Sequence, residues 1–209
     1  MTDTINTVLL STAYLPPIEY FHYLIKSKHI IIEQFETYPK QSYRNRYAIL
    51  SGNGKLSLSI PVKKVNGNHT LTKDIVLFYE EDWQLKHWRS IQEAYSASPF
   101  LLYYADDLES FYTKKHSNLL EFNLALTQTI CHLIGFNPKI SLTESYEKGH
   151  HNCTDLRNAI SPKLPSTIKD FPPYTQVFSD RHAFIPNLSI VDLLFNLGPE
   201  TGEYLRKLK

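Results

Sequence analysis

Glycine is scarce, at 7 of 209 residues, and none stands in a GxGxxG or GxxxxGK[ST] arrangement. That excludes the glycine-rich turns that bring a backbone close to a pyrophosphate, and with them the P-loop and dinucleotide folds. Cysteine is scarcer still. Cys131 and Cys153 are the two present, with no CxxC spacing, so neither a disulfide framework nor a sulfur-rich metal site is expected. An excess of charge of one sign is also missing, because 22 basic residues face 21 acidic ones. No global field then favours nucleic acid, and anion recognition must be local. Long hydrophobic runs are absent, none nearing the ~20 residues of a membrane span. Met1-Thr2-Asp3-Thr4 carries no cationic charge, and Val8-Leu9-Leu10 is short for a secretion signal. A cytoplasmic protein that touches neither membrane nor nucleic acid is expected, with no cofactor and no metal.

What is present fits one domain over residues 1–209, since 42% of the chain is apolar. The 14 tyrosines and 11 phenylalanines against a single methionine suit either a Tyr-rich core or a pocket for sugars and rings, because Tyr offers a flat face and a hydroxyl.

Residues 5–10 form a short apolar run that reads as a buried strand. Pro16 and Pro17 then favour a helix start, and Ile18, Phe21, His22 and Ile25 share one helical face. Ile30-Ile31-Ile32 reads as the next strand, completing a parallel βαβ unit. Ser51-Gly52-Asn53-Gly54 between residues 48–50 and 56–60 signals a hairpin. A further strand is read at residues 74–78. The middle, about residues 82–136, is helical: Trp83, His87, Ile91 and Tyr95 recur every four residues, Ser98-Pro99 ends that helix, and Gly135 ends the third. Residues 147–209 are extended and punctuated by proline, with an edge strand at 174–178 and a terminal helix over 189–196. The expected class is α/β, a mixed, mostly parallel sheet with flanking helices and an inserted hairpin.

Several groups combine charge with aromatic neighbours. Tyr14-Leu15-Pro16-Pro17 sits where a strand gives way to a helix, the place where open α/β sheets bind ligands. Arg44, Asn45 and Arg46 precede the hairpin. If extended, the two guanidinium groups share one side and can hold a phosphate or carboxylate; alternatively they pair with acidic neighbours such as Glu33 and Glu36. His87 on its apolar stripe is either a core residue or a general base. Asp155 and Arg157 are placed for a local ion pair, which at a surface contributes little. Arg181 and His182 precede Asn187 and Ser189, either of which can cap the last helix. His150-His151 beside Cys153 lacks a matching second cluster for zinc.

On those residues the chain resembles the WbqC-like protein family over most of its length. The resemblance is carried by Tyr14-Leu15-Pro16-Pro17, Arg44-Asn45-Arg46, Ser59-Ile60-Pro61-Val62, and Trp83, His87, Ile91, Ala94-Tyr95 and Ser98-Pro99-Phe100. It extends to Tyr174, Gln176, Phe178, Arg181-His182, Pro186-Asn187-Leu188-Ser189, Asp192, Asn196 and Gly198, an ending similar to that of a Bacteroidetes-type variant. Many members place an HQP tripeptide before the YLP loop; this chain has Ser11-Thr12-Ala13 there. The resemblance implies a role in O-antigen or surface polysaccharide biosynthesis, and transfer of an acyl or aminoacyl group, glycyl among the candidates, to a nucleotide-linked sugar. In that reading His87 and Arg181 are catalytic, while Tyr14, Arg44, Asn45, Arg46, Tyr95, His182 and Asn187 bind an anionic small-molecule substrate around one shared cavity. The alternative is a non-catalytic protein that binds a sugar nucleotide or a partner in a biosynthetic assembly.

Overall fold

The structure, a computed structural model, describes residues 5–149 and 153–209. The His150-His151 pair weighed for zinc lies outside the described residues.

Strands β1 (Ile5–Ser11) and β2 (Ser27–Glu33) pair in parallel, with Val8 opposite Ile30 and Leu10 opposite Ile32. Helix α1 (Ile18–Lys26) crosses between them and runs directly into β2. Val8, Leu9 and Leu10 are all buried, as a parallel sheet covered on both faces requires. Leu15, in the link to α1, adopts φ 40°. This left-handed conformation is costly for a bulky residue. It is held by the Ser189 hydroxyl donating to the Leu15 carbonyl and the Ile190 amide donating to Pro16.

Hairpin strands β3 (Arg46–Ser51) and β4 (Gly54–Ser59) pair antiparallel, with Gly54 at φ 98° in the turn. A second ribbon joins β5 (Val62–Lys64) to β6 (Ile75–Leu77). Three helices follow: α2 (Trp83–Tyr95), α3 (Leu101–Thr113) and α4 (Leu119–Ile134). The stripe of Trp83, His87, Ile91 and Tyr95 is buried along its whole length. Asn118 caps α4 by accepting from the Leu120 and Glu121 amides, and Gly135 closes it at φ 89°.

Two short parallel strands complete the main sheet: β7 (Ile140–Leu142) on the outer side of β2, and β8 (Thr154–Asp155) beside β1. The order is β7-β2-β1-β8. From β1 the chain moves to one side for β2 and later returns to the other for β8. The crevice beyond the carboxyl ends of β1 and β8 is therefore the point where strand order reverses.

The fold class is the expected α/β, with the parallel strands in one sheet and the hairpin in a separate ribbon. The edge strand expected at 174–178 does not form. Tyr174 and Gln176 instead point to the buried Asp192 carboxylate, which accepts from the Tyr174 hydroxyl and the Gln176 amide; their alternation marks two anchors, not a ladder. Helix α5 (Ile190–Leu197) is followed by an unforeseen α6 (Thr201–Lys207).

Candidate functional site

Each parallel strand brings a polar group to the carboxyl end of the sheet. β1 ends in Ser11 and leads to Thr12; β2 ends in Glu33 and turns into Glu36; β8 ends in Asp155, two residues before Arg157. Arg44 arrives from a tight turn before β3. Its Nε donates to Glu36 Oε1 at 2.7 Å and its Nη2 to Glu36 Oε2 at 2.6 Å, with a further bond from Nη2 to the Ser11 hydroxyl. Arg157 holds two carboxylates. Its Nη1 donates to Glu33 Oε2 at 2.9 Å, and its Nη2 to Asp155 Oδ2 at 2.6 Å. The hydrogen bonds that Arg157 donates to the Asp155 carboxylate push the Arg157 pKa further up. Glu33 is completed by the Phe35 amide and the Thr143 hydroxyl. Glu33, Glu36, Arg44 and Arg157 are 0, 8, 5 and 4% exposed. Charges so far from water persist only when paired and hydrogen-bonded throughout.

Two hollows adjoin this network. A small cavity of about 10 Å³ lies at the β1–β8 crevice, lined by Ser11, Thr12, Tyr20, Arg44, Leu156 and Arg157 among others. An open cleft of about 260 Å³ is lined by Phe35, Glu36, Thr37, Pro39, Tyr146, Arg157 and Asn158. Arg157 lines both, and the Arg44–Glu36 pair bridges them. Thr12 is 2% exposed, and its Oγ1 makes no hydrogen bond among the described residues. Arg44 spends Nε and Nη2 on Glu36 and Ser11, leaving the two hydrogens of Nη1 uncommitted among the described residues.

The residues singled out from the sequence divide over separate places, and the single shared cavity expected of Tyr14, Arg44, His87 and Arg181 is not formed by them among the described residues. Tyr14 and His87 do meet: the Tyr14 hydroxyl lies 2.9 Å from His87 Nδ1 and 3.1 Å from the Tyr112 hydroxyl. They do so inside an aromatic cage with Trp83, Tyr47 and Phe122, where His87 is 3% exposed. Burial pushes its pKa down to about 4. The ring is neutral near pH 7, as a base should be, but faces packing instead of solvent. Tyr95 donates to Asp192 Oδ1 at 2.9 Å. Burial pushes the Asp192 pKa up against three donors that lower it.

Arg44 and Arg46 do not share a side, because residues 43–45 turn instead of extending. Arg46 donates to the Ser59 hydroxyl across the hairpin at 3.0 Å, and Asn45 to the Ile60 carbonyl at 2.8 Å. Arg181 pairs with Asp180 on the surface, near Gly52. His182 Nε2 lies 3.1 Å from the Gly52 carbonyl, so this dipeptide fastens the C-terminal segment to the hairpin turn. Asn187, at φ 54°, accepts from the Glu19 amide and donates to Glu19 Oε1. Ser189 is the α5 N-cap position, but its hydroxyl bonds Leu15.

Of the residues expected to bind substrate, Arg44 is the one that lines the small cavity. The structure adds Thr12, Glu33, Glu36, Asp155 and Arg157. The signal for the acidic members was the alternative pairing of Arg44 with Glu36, which is realised. Asp155–Arg157 read as a surface pair because two residues of β8 carry no periodicity to reveal that they join the sheet.

The sequence profile of the WbqC-like protein family matches residues 12–167 and 166–204, and the chain belongs to that family. It is similar to the uncharacterized protein Rv1507c of Mycobacterium tuberculosis, at 26% identity over 96% of this chain and 97% of the relative. No solved structure matches. No helix among the described residues is long and apolar enough to cross a membrane. Position 11, within the tripeptide that replaces the HQP of the resembled pattern, lies at the centre of the ion-pair network.

Proposed function

We propose, with membership of the WbqC-like protein family as the premise, that this chain is a small-molecule transferase working at the carboxyl end of its parallel sheet. The group transferred is acyl or aminoacyl, glycyl among the candidates, and the acceptor is an amino or hydroxyl group of a nucleotide-linked sugar. One observation carries the location: a buried charge network, an unpartnered Thr12 hydroxyl and unused Arg44 donors meet at the point of strand reversal. Ligands of open α/β sheets lie at such points, and preorganised donors in a water-poor site are what acyl transfer needs.

A second reading, non-catalytic binding of a sugar nucleotide, is favoured by a separate fact. Glu33, Glu36 and Asp155 are each held by a guanidinium group, and both oxygens of each already accept hydrogen bonds within the protein. Thermal shift of the purified chain against sugar nucleotides and activated acyl donors, followed by mass spectrometry of the mixture, separates the two. Stabilisation by one ligand of each kind, with a product heavier than the acceptor by the acyl group less one hydrogen and release of the donor's leaving group, supports transfer. Stabilisation by a sugar nucleotide alone, without product, supports binding. No stabilisation by either overturns both.

A further inference from the structure

We infer that the small cavity takes one neutral carbonyl oxygen of the substrate, from an amide, ester or thioester, and that phosphate is not its ligand. The inference rests on the proposed site and deepens it by assigning the substrate group that enters deepest.

Size comes first. A cavity of about 10 Å³ is close to the least that admits one water-sized atom group, so a phosphate with its shell of oxygens does not fit. Hydrogen bonding comes next. The Thr12 hydroxyl is sealed and unpartnered, an arrangement folded proteins seldom tolerate without a partner that comes and goes. Arg44 also lines that cavity and keeps two more donors, on Nη1, without a partner among the described residues. Convergent donors call for an acceptor, and a carbonyl oxygen brings two lone pairs and no net charge. Charge decides the rest. Arg44 and Arg157 are two cations against the three carboxylates Glu33, Glu36 and Asp155. The network has no cationic surplus to neutralise a phosphate or a second carboxylate, which would be repelled in a medium that screens poorly.

The remainder of the substrate then lies in the 260 Å³ cleft, against Tyr146, Asn158 and Arg157. Arg157 stands over the Tyr146 ring at 5.4 Å, so the wall of that cleft is flat and suited to a sugar or peptide plane. Leu156 and Ile160 close the other side of the small cavity with hydrocarbon, which keeps water from competing for the donors.

The test is two-dimensional amide NMR of the full chain, titrated separately with N-methylacetamide and with inorganic phosphate. Saturable shifts at Thr12, Ala13 and Arg44 with the amide, and none there with phosphate, are expected. Thr12→Val keeps shape and gives up no existing bond, so it folds; it should weaken the amide at least tenfold, while Thr12→Ser retains it. Phosphate binding as tightly as the amide, unchanged amide affinity in Thr12→Val, or no saturable shift at all, as for a site that holds only an ordered water, would overturn the inference. If sugar nucleotides and acyl donors still stabilise the chain while the amide fails, the transferase reading stands without this one. If the amide binds but no donor or acceptor does, this inference stands and the transferase reading falls.

Discussion

Arg44 and Glu36 form a two-bond fork, Nε to Oε1 at 2.7 Å and Nη2 to Oε2 at 2.6 Å, with both side chains nearly closed off from water. The pair joins the turn before β3 to the turn after β2, and it forms the shared wall of the cavity and the cleft.

Removing one half leaves the other as an uncompensated buried charge. Arg44→Met should therefore destabilise the fold by about 3–5 kcal/mol. The double change Arg44→Met with Glu36→Gln should recover a good part of that loss. Urea unfolding of the two variants at neutral pH measures both; equal stability of single and double variants would show that Glu36 finds other compensation.

His87 gives a pH signature. Its folded pKa is pushed down to about 4 by burial from the ordinary 6.5. Above pH 6.5 the ring is neutral in both states and its contribution to stability is complete. As pH falls towards 4 the unfolded chain takes up the proton first, and stability declines by about 3 kcal/mol across that window. His87→Gln keeps an acceptor for Tyr14 and should flatten the dependence. Unfolding free energies of both proteins between pH 7.5 and 4.5 decide it, and parallel slopes would assign the effect elsewhere.

Gly198 packs against an aromatic edge. At φ 52°, a Cβ there would stand 2.5 Å from the Phe100 ring. Backbone strain and a displaced ring add together, so Gly198→Ala should cost at least ~1–3 kcal/mol. A melting temperature within a degree of the parent would contradict the packing.

Asn187 ties the C-terminal segment to the start of α1 through Glu19, and does so in the left-handed region. Asn187→Gly loses the two bonds but keeps the backbone easy; Asn187→Ala loses both and adds about 1–2 kcal/mol of conformational cost. The expected order of melting temperatures is parent, glycine variant, alanine variant. Reversal of the last two would mean that the turn relaxes.

The long elements were legible because each repeats its signal. Val8 to Leu10 and Ile30 to Ile32 are continuous apolar runs, Trp83 to Tyr95 keeps a four-residue step, and Gly54 and Gly135 stand where a positive φ is needed. The site was legible only in part. Arg44 was singled out, yet whether it would hold an external anion or Glu36 depended on a turn at 43–45 that leaves no periodic trace.

Composition and pattern by themselves determined the βαβ start, the hairpin, the helical middle and the family, because these rest on local spacing within a dozen residues. Tertiary structure alone decided which groups meet. It brought Asp155 and Arg157 beside β1 from more than a hundred residues away, turned His87 into the aromatic interior, and left the Thr12 hydroxyl facing no partner among the described residues. The reason is physical: pairing at the edge of a parallel sheet is a long-range contact, and a two-residue strand is held there by the network at its end, not by any preference written into its own sequence.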